Sequence, residues 1–238
     1  MPPLIALPGT LLDGRSLGAA LAGPGARIEL LGTCATLDDE LDRLAEIAET
    51  AGGPAWWAGH SLGGIVALQL AARHPDVVAG LVLLAANARA APATARVRRA
   101  AQWQAAQAHG LRSLVQNKLG PGYDLQTGDA LLQSLADQAD AVGMARFGRQ
   151  LSYASQRPGL AERAPWIGVP VLALSAADDS LCPPEQSDEI MTLVMPGVAC
   201  QHHRLARAGH LFPMQHAAWV AARLDAFMML FAHERITP

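Results

Sequence analysis

The chain of 238 residues is poor in charged residues, in aromatic residues and in cysteine. Only 16% of its residues are charged, and 18 Lys and Arg against 21 Asp and Glu leave a net charge of −3. Proteins that bind nucleic acid normally carry a basic excess that neutralises phosphates, so no nucleic-acid partner is expected. Hydrophobic residues make up 51% of the chain, which favours a large core over extensive disorder.

Cysteines and long apolar runs are also scarce. Cys34, Cys182 and Cys200 are too few and too scattered for a disulfide framework, and they form no CxxC pair for zinc. No apolar run approaches the roughly 20 residues that cross a bilayer. The first residues lack the basic segment of a signal peptide. These absences predict a cytoplasmic protein with no membrane span, no metal and no other cofactor.

Short apolar runs alternate with helical patterns along the chain. This alternation predicts a mostly parallel sheet with helices on both faces. Six strands are predicted, at residues 4–7, 27–31, 55–59, 78–85, 169–175 and 199–205. The last of them carries polar side chains that suit the edge of a sheet. Helices are predicted at residues 37–50, 62–73 and 214–231.

Residues 88–165 interrupt the alternation, because no strand is predicted among them. Helical patterns appear instead at residues 94–109, 111–118, 129–140 and 141–155. A crossover between parallel strands needs only about a dozen residues, so this segment is an insertion. We expect residues 1–87 and 166–238 to form one core, with residues 88–165 as a helical lid and not a second independent domain.

The segment Gly59-His60-Ser61-Leu62-Gly63 matches the pattern G-x-S-x-G where a predicted strand meets a predicted helix. Such a turn presents the serine Oγ above the sheet, and its glycines avoid Cβ clashes. The helix that begins at Leu62 directs free N–H groups at the site, so the Leu62 N–H is a candidate oxyanion donor. Ser61 is the candidate nucleophile, and His60 is expected to point away from it.

A serine nucleophile needs a histidine base that a carboxylate holds in place. Asp178 and Asp179 follow the fifth predicted strand, and His210 follows the sixth. The carboxyl ends of parallel strands share one edge of the sheet, so these side chains are expected to meet Ser61. Because both aspartates follow the same strand, this position does not decide which of them is the acid.

These motifs resemble the α/β-hydrolase superfamily, and within it the small esterases of the pimeloyl-carrier methyl esterase and enol-lactonase branch. The resemblance spans nearly the whole chain and rests on LPGTLLDG at 7–14, WAGHSLGGIVALQLAARHP at 57–75, VPVLALSAADDSLCPP at 169–184 and AGHLFPMQHAAWV at 208–220. It implies an α/β-hydrolase fold in which Ser61 is the nucleophile, Asp179 the acid and His210 the base. It also implies that the Thr10 N–H is a second oxyanion donor.

Two segments depart from the pattern of the family. Pro8-Gly9 stands where the family usually has His-Gly, and GTCAT at 32–36 replaces an Asp-x-x-Gly-x-Gly loop. The second loop shapes one wall of the site in the family. The substrate of better-known members is therefore not transferred to this chain.

The resemblance implies a serine hydrolase that cleaves a small ester, lactone or thioester through an acyl-enzyme. Leu11, Trp103, Phe147, Tyr153 and Leu211 are candidates to line the substrate pocket; the alternative for the three aromatic residues is packing in the core. The same fold also hosts C–C hydrolases, perhydrolases and hydroxynitrile lyases, and the triad does not separate these chemistries. A ligand-binding protein without catalysis is the alternative from another class.

The first predicted lid helix carries a basic cluster of Arg96, Arg98 and Arg99. Such a cluster is either a solvated face or a contact for a substrate that bears a carboxylate or is linked to a carrier protein. The sequence leaves this choice and the oligomeric state open.

Overall fold

A parallel sheet of six strands forms the centre of the computed structural model, which describes residues 2–21, 25–164 and 166–231. The strands are β1 (Leu4–Leu7), β2 (Arg27–Ile28), β3 (Ala55–His60), β4 (Val78–Leu84), β5 (Val171–Ala176) and β6 (Cys200–Leu205). They lie in the order β2-β1-β3-β4-β5-β6, and each neighbouring pair is parallel. The predicted α/β architecture is confirmed, and β6 lies at the predicted edge.

Helices connect the strands and fill the long insertion. They are α1 (Arg15–Leu21), α2 (Leu37–Thr50), α3 (Leu62–Arg73), α4 (Ala93–His109), α5 (Leu111–Leu114), α6 (Ala130–Gln156), α7 (Leu160–Arg163), α8 (Pro184–Thr192), α9 (Phe212–Gln215) and α10 (Ala217–Met229). A π-helical turn at Val115–Leu119 and a 3-10 turn at Pro121–Tyr123 continue α5. In the ranges that the structure covers, no helix is long and apolar enough to cross a membrane.

The sheet is buried on both faces because successive strand residues point in opposite directions. One apolar cluster joins alternate strand residues to helices α2 and α3, and includes Ile5, Trp57, Leu81, Leu41 and Val66. The cluster on the other face joins the intervening strand residues to α1 and α10, and includes Ala6, Trp56, Val82, Leu17 and Phe227. The two clusters hold the carboxyl ends of the strands at one rim.

Helices α4 to α6 share a third apolar cluster with the loops at that rim. Leu11 of the β1 loop and Leu211 of the β6 loop pack into it, together with Leu114, Leu135 and Phe147 of the insertion. The insertion therefore packs directly over the loops that follow β1 and β6.

The second strand is shorter than predicted, since residues 29–31 are not part of it. The carbonyl groups beyond the strand bond to the insertion: the Leu30 oxygen accepts from Arg146, and the Leu31 oxygen accepts from the Gln150 amide. These side chains replace the neighbouring strand as hydrogen-bond donors, so the β-ladder ends early.

The helices also differ from the prediction in several places. The single helix predicted at 214–231 is divided into α9 and α10, because His216 has non-helical backbone angles (φ −130°, ψ 43°). Helices α1 and α8 were not predicted; α1 is short and contains Gly18, and α8 is mostly polar. Within α6, Gly143 (φ 78°, ψ 161°) breaks the helix close to the junction between the predicted helices 129–140 and 141–155.

Gly59→Ala tests the close contact between β3 and α3. A Cβ at Gly59 would lie 2.3 Å from the backbone carbon of Gly63, and backbone cannot move aside as a side chain can. We expect the free energy of unfolding to fall by about 3 kcal/mol or more, the upper range for overpacking. Urea denaturation measures this change.

Gly18→Ala is the matched control, because nothing lies within 4 Å of its Cβ position in helix α1. It should leave stability unchanged or raise it by up to about 1 kcal/mol. Equal stability changes in the two variants would contradict the proposed steric role of Gly59.

Candidate active site

Ser61 occupies a sharp turn between β3 and α3. Its backbone angles (φ 53°, ψ −114°) lie in a region that residues with a side chain rarely adopt. The Ser61 N–H donates to the Leu84 carbonyl oxygen at 2.9 Å, which fixes the turn to β4. A Cβ at Gly63 would lie 1.9 Å from the Leu7 carbonyl oxygen, so the turn also needs glycine after the serine.

Ser61, His210 and Asp179 form one chain of hydrogen bonds. The Ser61 Oγ lies 3.0 Å from His210 Nε2, and His210 Nδ1 lies 2.8 Å from Asp179 Oδ2. An ionised carboxylate only accepts, so the Nδ1–H of His210 donates to it and Nε2 remains free to accept from the serine. This tautomer is the one that a general base requires.

Asp179, not Asp178, contacts the histidine. Asp179 is 3% exposed, and its Oδ1 accepts from the N–H groups of Leu181 and Cys182 at 2.9 Å each. Burial alone would raise the pKa of the Asp179 carboxyl, but the hydrogen bonds with His210 and these amides hold it below its ordinary value. Asp178 is exposed to solvent.

Two backbone N–H groups beside Ser61 are free. Within the described residues, neither the Thr10 N–H after β1 nor the Leu62 N–H at the start of α3 donates a hydrogen bond inside the protein. Thr10 belongs to a tight turn in which the Leu12 N–H donates to the Gly9 oxygen at 3.1 Å. Thr10 and Ser61 line the same cavity, and Leu62 follows Ser61 directly, so both amides remain candidate oxyanion donors.

Two buried glutamines of α6 hold the loop that carries Thr10. The Gln150 Oε1 accepts from the Leu11 N–H at 3.0 Å, and the Gln138 Oε1 accepts from the Asp13 N–H at 3.1 Å. Leu11 has a positive φ of 60°, a strained conformation that the first of these bonds stabilises. Sequence analysis missed both glutamines, since an isolated glutamine in a helix carries no recognisable signal.

His60 does not point away from the site, and this expectation was wrong. Its Nε2 lies 2.9 Å from the His210 carbonyl oxygen, and the two imidazole rings are 5.0 Å apart. Because a carbonyl only accepts, Nε2 carries the proton. Complete burial, and then the positive charge of His210, lower the pKa of His60 to about 3, so its ring is neutral at pH 7.

The serine opens into a cavity of about 510 Å³, a size that accommodates a small organic molecule. Leu11, Phe147 and Leu211, which are candidates for the substrate pocket, are among the residues that line this cavity. Trp103 and Tyr153, which were also expected there, are not among the residues that line the cavity. Trp103 packs beside Phe147 with ring centroids 6.2 Å apart.

Tyr153 has a different role, because it fastens the loop after β2 to the insertion. Its hydroxyl contacts the Cys34 carbonyl oxygen and lies 3.0 Å from Glu40 Oε2. Arg146 and Arg149 bind the same loop through the Thr33 hydroxyl and carbonyl oxygen. The expected role of Tyr153 in the pocket is therefore corrected: its hydroxyl is occupied outside the cavity.

Tyr123 is a residue of the site that sequence analysis missed. It lies in the 3-10 turn of the insertion and stacks on His210, with ring centroids 6.0 Å apart and an interplanar angle of 9°. Burial and the negative charge of Asp179 raise the pKa of Tyr123 to about 12, so its hydroxyl is protonated. Its segment, GPGYD, predicts only a turn.

A second hydrogen-bonded set of serine, histidine and aspartate side chains joins β5, β6 and α8. Ser175 Oγ lies 2.7 Å from His202 Nε2, and His202 Nδ1 lies 2.8 Å from Asp188 Oδ1. Ser175 is completely buried within a strand, and neither it nor His202 lines the cavity. A substrate carbonyl has no access to Ser175, so this chain is suited to structural cross-linking.

Cys182, which lines the cavity, is a poor nucleophile. Burial raises the pKa of the Cys182 thiol to about 12, and only the thiolate is a strong nucleophile. Across the described ranges, no group of three or more His, Cys, Asp or Glu side chains is arranged to hold a metal ion.

Comparison with known proteins gives consistent matches. The model of the alpha/beta hydrolase family matches residues 5–223. A pimeloyl-[acyl-carrier protein] methyl ester esterase of Neisseria meningitidis is 28% identical over 200 residues, covering 78% of this chain and 70% of that protein. Structurally, the chain is similar to a thermophilic esterase from Thermogutta terrifontis (TM-score 0.81, 20% identity, 97% and 90% of the two chains). It is also similar to the enol-lactonase from Burkholderia xenovorans LB400 (TM-score 0.74, 20% identity, 96% and 92%).

Gln150→Leu should lower kcat for a chromogenic ester about tenfold while changing KM little. The variant removes the acceptor for the Leu11 N–H and so loosens the loop that presents the Thr10 amide to the developing oxyanion. Steady-state kinetics separate kcat from KM. Gln138→Leu is the comparison, because Gln138 is equally buried on the same helix but bonds at Asp13, farther along the loop. A smaller loss of kcat in Gln150→Leu than in Gln138→Leu would argue against this role.

Acid should destabilise the fold through His60. Its pKa is about 3 in the folded protein, against about 6.5 in an unfolded chain. The unfolded state therefore binds more protons below pH 6.5, and the free energy of unfolding falls as the pH drops from 6.5 toward 3. The lowered pKa of Asp179 adds a further loss in the same direction at more acidic pH.

Urea denaturation between pH 4 and pH 7 measures this slope. His60→Gln removes the titrating group and should give a shallower slope than the wild type. The same substitution at His216, which is exposed, should leave the wild-type slope in place. An identical slope in His60→Gln and wild type would show that another group causes the acid sensitivity.

Proposed function

The chain belongs to the alpha/beta hydrolase family, and we propose that it is a serine hydrolase that cleaves a small carboxylic ester, lactone or thioester through an acyl-enzyme. One observation carries the proposal. The hydrogen-bonded chain of Ser61, His210 and Asp179 ends at a cavity into which Ser61 opens beside two free N–H groups. This arrangement supports the proposal because acyl transfer requires a nucleophile, a base, an orienting acid and oxyanion donors in one place.

In the first half of the proposed reaction, Ser61 Oγ attacks the carbonyl carbon and its proton passes to His210 Nε2. The carbonyl oxygen becomes an oxyanion that the Thr10 and Leu62 N–H groups stabilise. Asp179 stabilises the imidazolium formed at His210. As the tetrahedral intermediate collapses, the bond to the leaving oxygen or sulfur breaks and His210 returns its proton to that atom.

In the second half, water attacks the acyl-enzyme at the same carbon. His210 removes a proton from the water, and the same N–H groups hold the new oxyanion. Collapse breaks the bond to Ser61 Oγ, which recovers its proton, and releases the carboxylic acid. A neutral, buried His60 supports this cycle because its bond to the His210 carbonyl fixes the backbone of the base without adding a charge.

The helical insertion is proposed to act as a lid. Its residues Phe147 and Leu151 form part of the cavity wall, and Tyr123 covers one face of His210. The Neisseria relative is named for a methyl ester attached to an acyl-carrier protein. We therefore include carrier-linked esters in the proposed substrate range.

Ser61→Ala and Ser175→Ala test which serine reacts. Ser61→Ala should lower kcat for a short-chain p-nitrophenyl ester by at least about 10⁴-fold, because it removes the nucleophile. Ser175→Ala should retain activity within about threefold, since Ser175 is buried away from the cavity. A fluorophosphonate probe followed by peptide mass spectrometry should show an adduct on Ser61.

The same experiment separates the alternatives. Full turnover by Ser61→Ala would overturn the proposal. Absence of both an adduct and hydrolysis in folded wild-type protein would favour a ligand-binding protein. Labelling of Ser61 without ester turnover would point to another chemistry of this fold, which ring-fission and cyanohydrin substrates then test.

A further inference from the structure

The cavity beside Ser61 has basic side chains and no acidic ones in its wall. Among the described residues that line it, the basic ones are Arg89, Arg98, Arg99, Lys118 and Arg157, and none is Asp or Glu. The whole chain carries a slight acidic excess, with a net charge of −3. The positive charge is therefore concentrated at the cavity and does not reflect overall composition.

Arg157 is the most buried of these cations and has no acidic partner among the described residues. It is 5% exposed, and its guanidinium bonds only to neutral acceptors. These are the Arg89 carbonyl oxygen at 3.1 Å, Asn87 Oδ1 at 3.2 Å and the Ala154 carbonyl oxygen. A buried charge without a counter-ion is costly, so such an arrangement usually reflects a requirement of binding or catalysis.

Arg99 lies near Arg157 and is also incompletely paired. Within the described part of the chain, its Nη1 is buried and has no hydrogen-bond partner. Burial, and then the positive charges of Arg157 and Arg98, lower the pKa of Arg99 to about 10. Arg99 is still charged at pH 7, so repulsion between like charges persists when the cavity holds no anion.

Three carboxylates of the surrounding structure, those of Asp179, Glu40 and Glu189, already have other partners. Asp179 is bonded to His210 and to two backbone N–H groups. Glu40 accepts from Arg43 and from backbone N–H groups of the loop after β2. Glu189 pairs with Arg89, and both side chains are largely exposed. None of these carboxylates bonds to the Arg99 or Arg157 guanidinium.

We infer that the cavity takes an ester with a second functional group, a carboxylate, that binds at Arg99 and Arg157. This inference rests on the proposed hydrolase function and specifies its substrate. A carboxylate presents two oxygens to the planar fork of a guanidinium, and it supplies the missing negative charge. The apolar side chains of Leu135, Phe147 and Leu151 line the same cavity and suit the hydrocarbon part of such a molecule.

Two pairs of esters test the inference and locate the carboxylate. Monomethyl glutarate carries it on the acyl side, and 4-acetoxybutanoate carries it on the alcohol side. The neutral isostere of each, with a carboxamide in place of the carboxylate, is the reference. In at least one pair, kcat/KM should be ten or more times higher for the carboxylate than for the carboxamide, and that pair identifies the side.

Arg99→Gln should reduce this ratio at least tenfold. The matched control is Arg96→Gln on the same helix, because Arg96 is exposed and does not line the cavity. It removes the same charge and should leave the ratio at the wild-type value. Should Arg99→Gln fail to fold, Arg98→Gln replaces it, since this exposed side chain also lines the cavity and should reduce the ratio in the same direction.

Calorimetry with Ser61→Ala protein measures the same recognition without turnover. Glutarate should bind, glutaramide should bind at least tenfold more weakly, and Arg99→Gln in this background should weaken glutarate binding by a similar factor. Equal kcat/KM for both members of each ester pair, with no preference for glutarate, would overturn the inference and leave the hydrolase intact. Binding of glutarate that depends on Arg99, in a protein that hydrolyses no ester, would instead support the anion site and contradict the proposed function.

Discussion

The structure of the site depends on close backbone contacts among β3, α3 and β1, which are possible because glycine has no side chain. Gly63 approaches the Leu7 carbonyl so closely that a Cβ would lie 1.9 Å from its oxygen. This approach lets the chain reverse from strand to helix within the single strained residue Ser61. The same turn places the Leu62 N–H at the free end of a helix and the Thr10 loop beside it. The proposed nucleophile and the proposed oxyanion donors therefore follow from one steric arrangement.

The parallel sheet then brings distant residues to that turn. Strands β5 and β6 end at the same rim as β3, so Asp179 and His210 meet Ser61 although 118 and 149 residues of sequence separate them from it. His60, the last residue of β3, links this strand to His210. Its Nε2–H donates a hydrogen bond to the His210 carbonyl oxygen. His210 is thus held at two points. The neutral His60 ring binds its backbone carbonyl, and the Asp179 carboxylate binds its imidazole ring.

Sequence patterns were sufficient for the parts of the molecule that obey local rules. The six strands, α2 and α3 follow from periodicity and from glycine or proline at their ends, and the position of Ser61 follows from G-x-S-x-G between a strand and a helix. The orientation of His60 was mistaken because the pattern describes the turn but not what packs behind it. Gln150, Gln138 and Tyr123 were missed because their significance comes only from partners more than 80 residues away in the chain.

One helix of the insertion contacts both the cavity beside Ser61 and the loop that carries Thr10. Helix α6 contributes Phe147 and Leu151 to the cavity, and Gln150, which lies between them, holds the loop that carries Thr10. Arg157, immediately after this helix, brings the buried positive charge. The side chains that line the cavity, support the loop of Thr10 and carry the buried charge therefore lie on one short segment, residues 147–157.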